Sequence, residues 1–329
     1  MGLGRWVKRI SLTAMMITLG AVAFNKYWTD KPEKLEPCIA YVGPVSQGHP
    51  IDAAVFEGIR EAEREFGEAE VIPTETGKPL QSVIEDKDVD FIISPANPNR
   101  LRIPDNVWVF SFTDSERMRG TPKNWISLYQ NREDLYDAIA QYCKSQGLDV
   151  MLEQESLSSP LIFMDIFKGR GVDHLWIEMD SYFTKRYLGN RAAVFHDEYH
   201  MKKYKALLDD AGVEAIILEN SESIVIPPEG CKVIYKVNRF GPRFSAVAKQ
   251  RFGWGAPYGY DATKLILEGI RESQGDPARF KEFIYGRTHE GATGRFRFDR
   301  QGGARRDIEL RELDGTSTRE YKYEYLESE

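Results

Sequence analysis

Residues 258–272 read YGYDATKLILEGIRE, and residues 290–303 read EGATGRFRFDRQGG. In the first stretch Asp261 is followed by apolar residues at helical spacing, including Leu265 and Ile266, which predicts a helix that begins near Asp261. In the second stretch, glycines bracket a short run of alternating aromatic and charged residues, which predicts a β-hairpin. The end of the chain therefore combines a helix with paired strands.

Towards the N-terminus, short apolar runs alternate with helical patterns. Asp52 precedes Val55, Ile59 and Ala62 at a spacing that predicts an amphipathic helix, and Asn131 precedes a second such helix. This alternation is typical of α/β proteins in which helices cover both faces of a parallel sheet. We therefore predict two successive parallel α/β units. The predicted strands are 38–42 (CIAYV), 70–72, 91–94 (FIIS), 107–111 (VWVFS), 125–129, 174–177, 192–195, 215–218 and 232–237.

The first 25 residues differ from the rest of the chain. Three basic residues precede an apolar run of about 14 residues, from Ile10 to Ala23, which ends on the small-residue sequence AVA. This layout is typical of a secretory signal, and the run is shorter than the roughly 20 residues that span a bilayer. We predict that residues 1–24 are a cleaved signal peptide or an uncleaved anchor, in which residues 10–23 hold the chain to the membrane. A polar tether at 25–37 follows, and both alternatives place the remainder in the periplasm or outside the cell.

The length and net charge of the chain limit the number of lobes and the classes of partner that are expected. The chain has 329 residues, of which 42% are hydrophobic, so two lobes of ordinary domain size are expected. The net charge of −7 argues against a nucleic-acid-binding protein, which would present a basic face. Small molecules or other proteins are the partners that this composition favours.

The three cysteines, Cys38, Cys143 and Cys231, leave two alternatives open. An oxidising compartment would permit one disulfide with one thiol left over, whereas buried thiols are equally compatible with the sequence. No CxxC pair occurs, so neither a zinc knuckle nor a redox motif is indicated.

The C-terminal residues resemble a known family. Residues 259–262 (GYDA) and 293–303 (TGRFRFDRQGG) resemble the helix and hairpin that end the leucine/isoleucine/valine-binding proteins of ABC importers, which are type I periplasmic binding proteins. Residues 244–253 (FSAVAKQRFG) resemble the helix that precedes them, and residues 43–46 (GPVS) resemble the first ligand loop. The resemblance implies an α/β fold of two lobes, each a parallel sheet with helices on both faces, joined by a hinge.

The resemblance also implies a division of the chain. The first lobe would comprise residues 38–130, with part of 240–329 returning to it. The second lobe would comprise residues 131–240. Residues 241–329 would form a C-terminal segment shared between the lobes and the hinge.

Ligand residues are expected in the loops that follow the strands, because these loops form the crevice of open α/β sheets. In the family, hydroxyls and main-chain N–H groups hold the carboxylate of an amino acid, and an aromatic residue of the second lobe covers it. Ser115 stands where the carboxylate-binding hydroxyl is expected, and Glu219 is a candidate partner for the ammonium. The same residue types are also common in ordinary turns. The candidate ligand residues are Ser46, Ser94, Asn97, Ser111, Thr113, Ser115 and Tyr199.

The middle of the chain, 145–235, matches the family less well, and two alignments compete. In one, residues 195–199 (FHDEY) match a family loop in which Tyr199 covers the ligand and His200 replaces a glycine. In the other, this segment belongs to a later strand. His196 and His200 also have the spacing of a zinc-binding helix, but Asp197 occupies the position of the zincin glutamate and no third ligand is evident. We therefore predict no metal site, no cofactor and no enzymatic activity.

The sequence thus predicts an exported solute-binding protein. It would capture an amino acid or amide between its lobes and present it to an ABC permease, and no nucleic acid would take part. One alternative is a membrane-tethered sensory or regulatory module that binds a ligand. Another is a degenerate relative that has lost its ligand and serves as an interaction protein.

Overall fold

The computed structural model describes residues 37–43, 50–73, 84, 89–95, 103–112, 124–153, 160–177, 191–195, 201–202, 213–219, 231–238, 240–247, 253–315 and 317–326. In chain order the strands are β1 (Cys38–Tyr41), β2 (Glu70–Pro73), β3 (Phe91–Ser94), β4 (Trp108–Ser111), β5 (Trp125–Gln130), β6 (Asp149–Glu153), β7 (His174–Ile177), β8 (Arg191–Phe195), β9 (Ala215–Leu218), β10 (Lys232–Lys236), β11 (His289–Gly291), β12 (Gly294–Phe298), β13 (Gly303–Arg305), β14 (Ile308–Asp314) and β15 (Ser317–Tyr323). The helices are α1 (Pro50–Phe66), α2 (Arg132–Gln146), α3 (Pro160–Arg170), α4 (Gly255–Ser273) and α5 (Pro277–Tyr285).

The strands form two sheets. The first has the order β11-β12-β13-β5-β4-β3-β1-β2, and the second has the order β15-β14-β10-β9-β8-β6-β7. Strands β1 to β5 run parallel in the first sheet, as do β6 to β10 in the second. The predicted α/β class with two parallel sheets is confirmed. The final strands add antiparallel edges, because β12 pairs antiparallel with β13 and β14 pairs antiparallel with β10.

Parallel strands that are covered on both faces need continuous apolar runs. Every residue of β1, β3 and β4 is buried, as the unbroken apolar runs predicted. One face of the first sheet packs under α1 and α4, where Val55 and Ile266 contact the cluster that contains Phe110. The opposite face packs Ala40 and Ile92 into a separate cluster.

Helices α1 and α4 approach each other so closely that two glycines are required. A Cβ atom at Gly58 would lie 1.9 Å from the main-chain oxygen of Ala256, and a Cβ atom at Gly259 would lie 2.5 Å from the main-chain oxygen of Val55. Gly259 belongs to the GYDA sequence, so one residue of that motif serves helix packing.

The second sheet is covered differently, because large aromatic side chains fill the space between α2 and α3. The rings of Phe163 and Phe167 stack with their centroids 3.9 Å apart, and Tyr136 meets Phe163 edge-on at 4.9 Å. All three side chains are fully buried.

The chain passes between the sheets at three crossovers. The first follows β5 at Asn131, the second follows β10 and includes Val237, Asn238 and Phe240, and the third joins β13 to β14 through Arg306 and Asp307. Three connections of this kind form the hinge of a two-lobed protein.

Cys38, Cys143 and Cys231 all lie within the described residues, where each is a buried thiol and none forms a disulfide. Burial raises the pKa of the Cys143 thiol well above its usual range. Among the described residues, no helix has the length and hydropathy that crossing a membrane requires.

Candidate ligand cleft and hinge

Three serines form a row where the strands of the first sheet end. Ser94 of β3 pairs in register with Ser111 of β4, which pairs in turn with Ser127 of β5. Residues directly opposite one another on adjacent strands point to the same face of a sheet, about 4.8 Å apart. Ser94 and Ser111 were predicted as ligand residues, and the structure brings these two side by side.

The hydroxyl groups of this row contact the main chain. Ser94 Oγ donates a hydrogen bond to the carbonyl oxygen of Val42 at 3.0 Å, and Ser111 Oγ donates to that of Ile126 at 3.4 Å. Ser127 Oγ accepts a hydrogen bond from the N–H of Tyr129 at 3.3 Å. The row is buried beneath the strand ends and supports them.

Ser127 was not predicted as part of this row. It lies inside the run 125–130 instead of in a loop, so loop chemistry did not single it out. Its position follows only from the sheet order, which places β5 beside β4. The other predicted ligand residues, Ser46, Asn97, Thr113, Ser115 and Tyr199, lie outside the described residues.

The strand ends of the second sheet carry aromatic and aliphatic side chains. Phe195 of β8, Leu218 of β9 and Tyr235 of β10 are in register, so an aromatic and aliphatic row replaces the serines. Glu219 follows β9, is buried, and donates its N–H to the carbonyl oxygen of Phe195 at 3.0 Å. Burial lowers the pKa of Arg132 at the start of α2, and the negative charges of Tyr136 and Glu219 oppose that shift.

The GYDA sequence acts as a structural brace. Asp261 is buried in α4, and its carboxylate accepts hydrogen bonds from the N–H groups of Ala292 at 2.5 Å and Thr293 at 2.9 Å. Burial raises the pKa of Asp261, and these bonds oppose the shift. A Cβ atom at Gly291 would lie 2.3 Å from Asp261 Oδ1, so that position needs glycine. The carboxylate thus joins α4 to the β11–β12 turn.

The hairpin sequence FDRQGG has a similar role. Asp299 Oδ1 accepts hydrogen bonds from the N–H groups of Gln301 at 2.7 Å and Gly303 at 2.9 Å, which close the turn between β12 and β13. Asp299 Oδ2 accepts a hydrogen bond from Asn131 Nδ2 at 3.3 Å, while Asn131 Oδ1 caps α2 by accepting the N–H of Glu133. Asp299 therefore joins the β12–β13 turn to the first crossover.

A cavity of 310 Å³ lies where the three crossovers meet, and Gln130, Lys236, Asn238, Phe240, Tyr258 and Arg306 are among the residues that line it. None of the three serines lines this cavity. The ring of Tyr258, which does line it, contacts Phe112, the residue after Ser111, at a centroid distance of 5.6 Å. Arg306 is buried, and desolvation lowers its pKa. Desolvation and the charge of Arg306 lower the pKa of Lys236 to about 7.

The sequence predicts no metal site. Among the described residues, no group of three or more His, Cys, Asp or Glu side chains could hold a metal ion. His196 and His200 lie outside those residues.

Comparison with known proteins finds no sequence relative but many structural ones. No protein-family model matches the chain, and no curated protein matches it significantly. The solute-binding protein of an ABC transporter from Rhodopseudomonas palustris BisB5, in complex with 3,4-dihydroxybenzoic acid, superposes with a TM-score of 0.66 at 16% identity, over 88% of this chain and 98% of the other.

Two further structures extend the comparison. An ABC transporter substrate-binding protein from Desulfitobacterium hafniense in complex with Leu has a TM-score of 0.62 at 15% identity, over 87% of this chain and 99% of the other. The C-domain of LpoA from Haemophilus influenzae, a regulator of PBP1A, has a TM-score of 0.55 at 15% identity, over 86% of this chain and 99% of that one. At these identities the likeness concerns the fold.

Proposed function

We propose, from the premise that the chain has the type I periplasmic-binding-protein fold, that it is an exported solute-binding protein. It captures a small polar metabolite, an amino acid or an amide, between its lobes, carries out no reaction, and presents the metabolite to an ABC permease. The proposed first lobe is 38–130 with the returning C-terminal strands, and the proposed second lobe is 131–240. Residues 1–24 direct the chain to the periplasm or outside, as a signal or as an anchor.

The observation that supports this function best is the row of Ser94, Ser111 and Ser127 at the carboxyl edge of the first sheet. Ligands of open α/β sheets bind at that edge, and buried polar ligand groups need hydrogen-bonding partners. The proposed ligand residues in the adjoining loops are Ser46, Asn97, Thr113, Ser115 and Tyr199.

Thermal unfolding in the presence of amino acids, amides and small carboxylates tests the proposal. A ligand at about 100 times its Kd stabilises the folded state by about 2.7 kcal/mol, which is a readily measured rise in Tm. We expect one chemical class to raise the Tm saturably, and titration calorimetry to return one site per chain. No rise with any member of the panel would contradict a solute-binding role.

A regulatory role is the second candidate, and two observations favour it. The fold also matches the C-domain of LpoA, a regulator of PBP1A, and Ser94 and Ser111 are buried with their hydroxyls bonded to the main chain. In this case the chain would stay tethered through residues 10–23 and act on a protein partner, with or without a ligand. N-terminal sequencing of the mature protein distinguishes the candidates, because retention of residues 1–24 favours the tethered module.

A further inference from the structure

The cavity where the three crossovers meet, called the hinge cavity below, is lined by two basic side chains from separate crossovers. Lys236 ends β10 where the second crossover begins, and Arg306 lies in the third crossover. Both line the same 310 Å³ cavity, a volume at the lower end of the range of small-molecule sites. The lining carries two further basic side chains, Arg295 and Lys322, and three acidic ones, Asp307, Glu309 and Glu324, so it bears one more basic group than acidic groups. Lys236 and Arg306 repel each other there, and an anion between them would relieve that repulsion.

Arg306 is buried without a carboxylate partner. Its terminal nitrogens donate to the carbonyl oxygens of Thr293 at 2.9 Å and Leu128 at 2.8 Å, and its guanidinium carbon lies 4.5 Å from the centre of the Phe296 ring. Its buried Nε has no acceptor among the described residues. A buried cation whose hydrogen bonds go only to neutral groups is costly, and an added anion would reduce that cost.

The neighbouring carboxylates have other partners. The carboxylate of Asp261 accepts hydrogen bonds from the N–H groups of Ala292 and Thr293, and its negative charge offsets part of the desolvation of Arg306 without forming an ion pair with it. On the cavity rim, Asp307 Oδ1 accepts the N–H groups of Tyr325 at 2.9 Å and Leu326 at 3.1 Å, and Glu309 lies 3.8 Å from Arg311. Among the described residues, no carboxylate lies within ion-pair distance of Lys236 or Arg306.

The remaining walls are aromatic and indicate an organic occupant. Phe240 and Tyr258 line the cavity with ring centroids 6.4 Å apart, and the amine of Lys236 lies 5.9 Å from the centre of the Tyr129 ring. Gln130 and Asn238 add amide groups. Two cations beside apolar rings suit a carboxylate with a short apolar or aromatic body better than a fully hydrated inorganic ion.

We infer that the hinge cavity binds a small organic carboxylate, whose anionic group contacts Lys236 and Arg306 and whose body packs against Tyr258 and Phe240. The site is separate from the serine row and does not depend on the cleft ligand. Lys236 and Arg306 belong to different crossovers, so a carboxylate that contacts both side chains joins the two crossovers. The affinity for this carboxylate therefore depends on the angle between the lobes. By linkage, such a ligand alters the equilibrium between open and closed lobes.

Calorimetric titration of the purified chain with benzoate, acetate and phosphate, at constant ionic strength, tests this inference. We expect saturable binding in the order benzoate, acetate, phosphate. In Lys236→Met, which keeps the length of the side chain, the affinity for benzoate should fall by about tenfold or more, because a charge-assisted contact is lost. Lys144→Met removes the same charge from an exposed position on α2 and should bind benzoate as the wild type does.

Two results would overturn the inference: no binding of either carboxylate by the wild type, or unchanged benzoate affinity in Lys236→Met. Ser111→Ala distinguishes this site from the cleft. If benzoate binding is weakened in Ser111→Ala and unchanged in Lys236→Met, benzoate occupies the cleft, and the hinge site is refuted while the proposed function stands. Because Arg306 also supports the fold, Arg306→Lys is informative only if its Tm matches that of the wild type, and it should then weaken benzoate binding.

Discussion

The two sheets have the same parallel arrangement of strands, but the residues at their strand ends differ in polarity. Three residues in register across the first sheet are serines, namely Ser94, Ser111 and Ser127. The corresponding residues of the second sheet are Phe195, Leu218 and Tyr235. The first row is polar and the second is largely apolar, and Ser94, Ser111, Ser127, Phe195 and Leu218 are all buried. The two strand edges therefore differ in the hydrogen-bonding groups that they carry.

The lobes differ again in how helices pack on them. In the first lobe, α1 and α4 meet through main-chain atoms at Gly58 and Gly259. In the second, α2 and α3 meet through the rings of Tyr136, Phe163 and Phe167. The two interfaces should therefore fail through opposite changes, one by adding atoms and the other by removing them.

The largest effect is expected in the second lobe. Phe163→Ala would leave a cavity among stacked rings and should lower the free energy of unfolding by about 3–5 kcal/mol. Chemical denaturation followed by circular dichroism measures this change. Leu161 lies on the same helix but is 75% exposed, so Leu161→Ala should stay within about 0.5 kcal/mol of the wild type. Equal losses in both variants would show that α3 does not pack as described.

In the first lobe the same measurement should respond to an added methyl group. Gly58→Ala places a Cβ atom 1.9 Å from a main-chain oxygen that no rotamer change can relieve, so we expect a loss of about 1–3 kcal/mol. Gly169 is a matched control in α3, because a Cβ atom there meets nothing within 4 Å. Gly169→Ala should stabilise the protein by about 0.5–1 kcal/mol through helix propensity. No loss of stability in Gly58→Ala would argue against the close approach of α1 and α4.

A smaller effect tests the contrast between the strand edges. Ser111→Ala should weaken the binding of the cleft ligand by about 2- to 12-fold, the equivalent of one neutral hydrogen bond. Ser145→Ala removes a serine from the far end of α2, where its hydroxyl bonds to the carbonyl oxygen of Tyr142, and should leave affinity unchanged. Titration calorimetry with the ligand found by thermal screening gives both values. Unchanged affinity in Ser111→Ala would show that the serine row of the first sheet does not contribute to ligand binding.

A pH dependence of stability is also expected. The pKa of Lys236 is lowered to about 7 in the folded protein, so between pH 7 and about 10 the unfolded chain binds the extra proton. Stability should therefore rise with pH in this window, by less than the roughly 1.4 kcal/mol per pH unit that one full proton gives, because the side chain is partly exposed. The charged groups that face Lys236 in the cavity are Arg295, Arg306, Asp307, Glu309, Lys322 and Glu324.

Comparison of Lys236→Met with the wild type isolates this contribution. The wild-type free energy of unfolding should rise more steeply with pH between 7 and 10 than that of the variant, as measured by denaturant titrations at each pH. Parallel curves would show that Lys236 titrates normally in the folded protein.

The sequence predicted local structure better than the site. Apolar runs such as 91–94 and 107–111 predicted buried parallel strands, because a strand that is covered on both faces has apolar residues at nearly every position. The row that includes Ser127 could not be predicted, since it depends on which strands become neighbours. Lys236 and Arg306 lie far apart along the chain and meet only because two crossovers converge. The motif residues Asp261 and Asp299 were informative about the family, yet in the structure they brace turns.

The three buried thiols provide internal reporters of opening. Cys38 begins the first strand of the first sheet, while Cys143 in α2 and Cys231 before β10 belong to the second lobe. A thiol is modified only when reagent reaches it as thiolate, so each alkylation rate measures how often its surroundings separate. Mass-spectrometric mapping of the modified peptides would follow the two halves of the unaltered chain independently, without an introduced label.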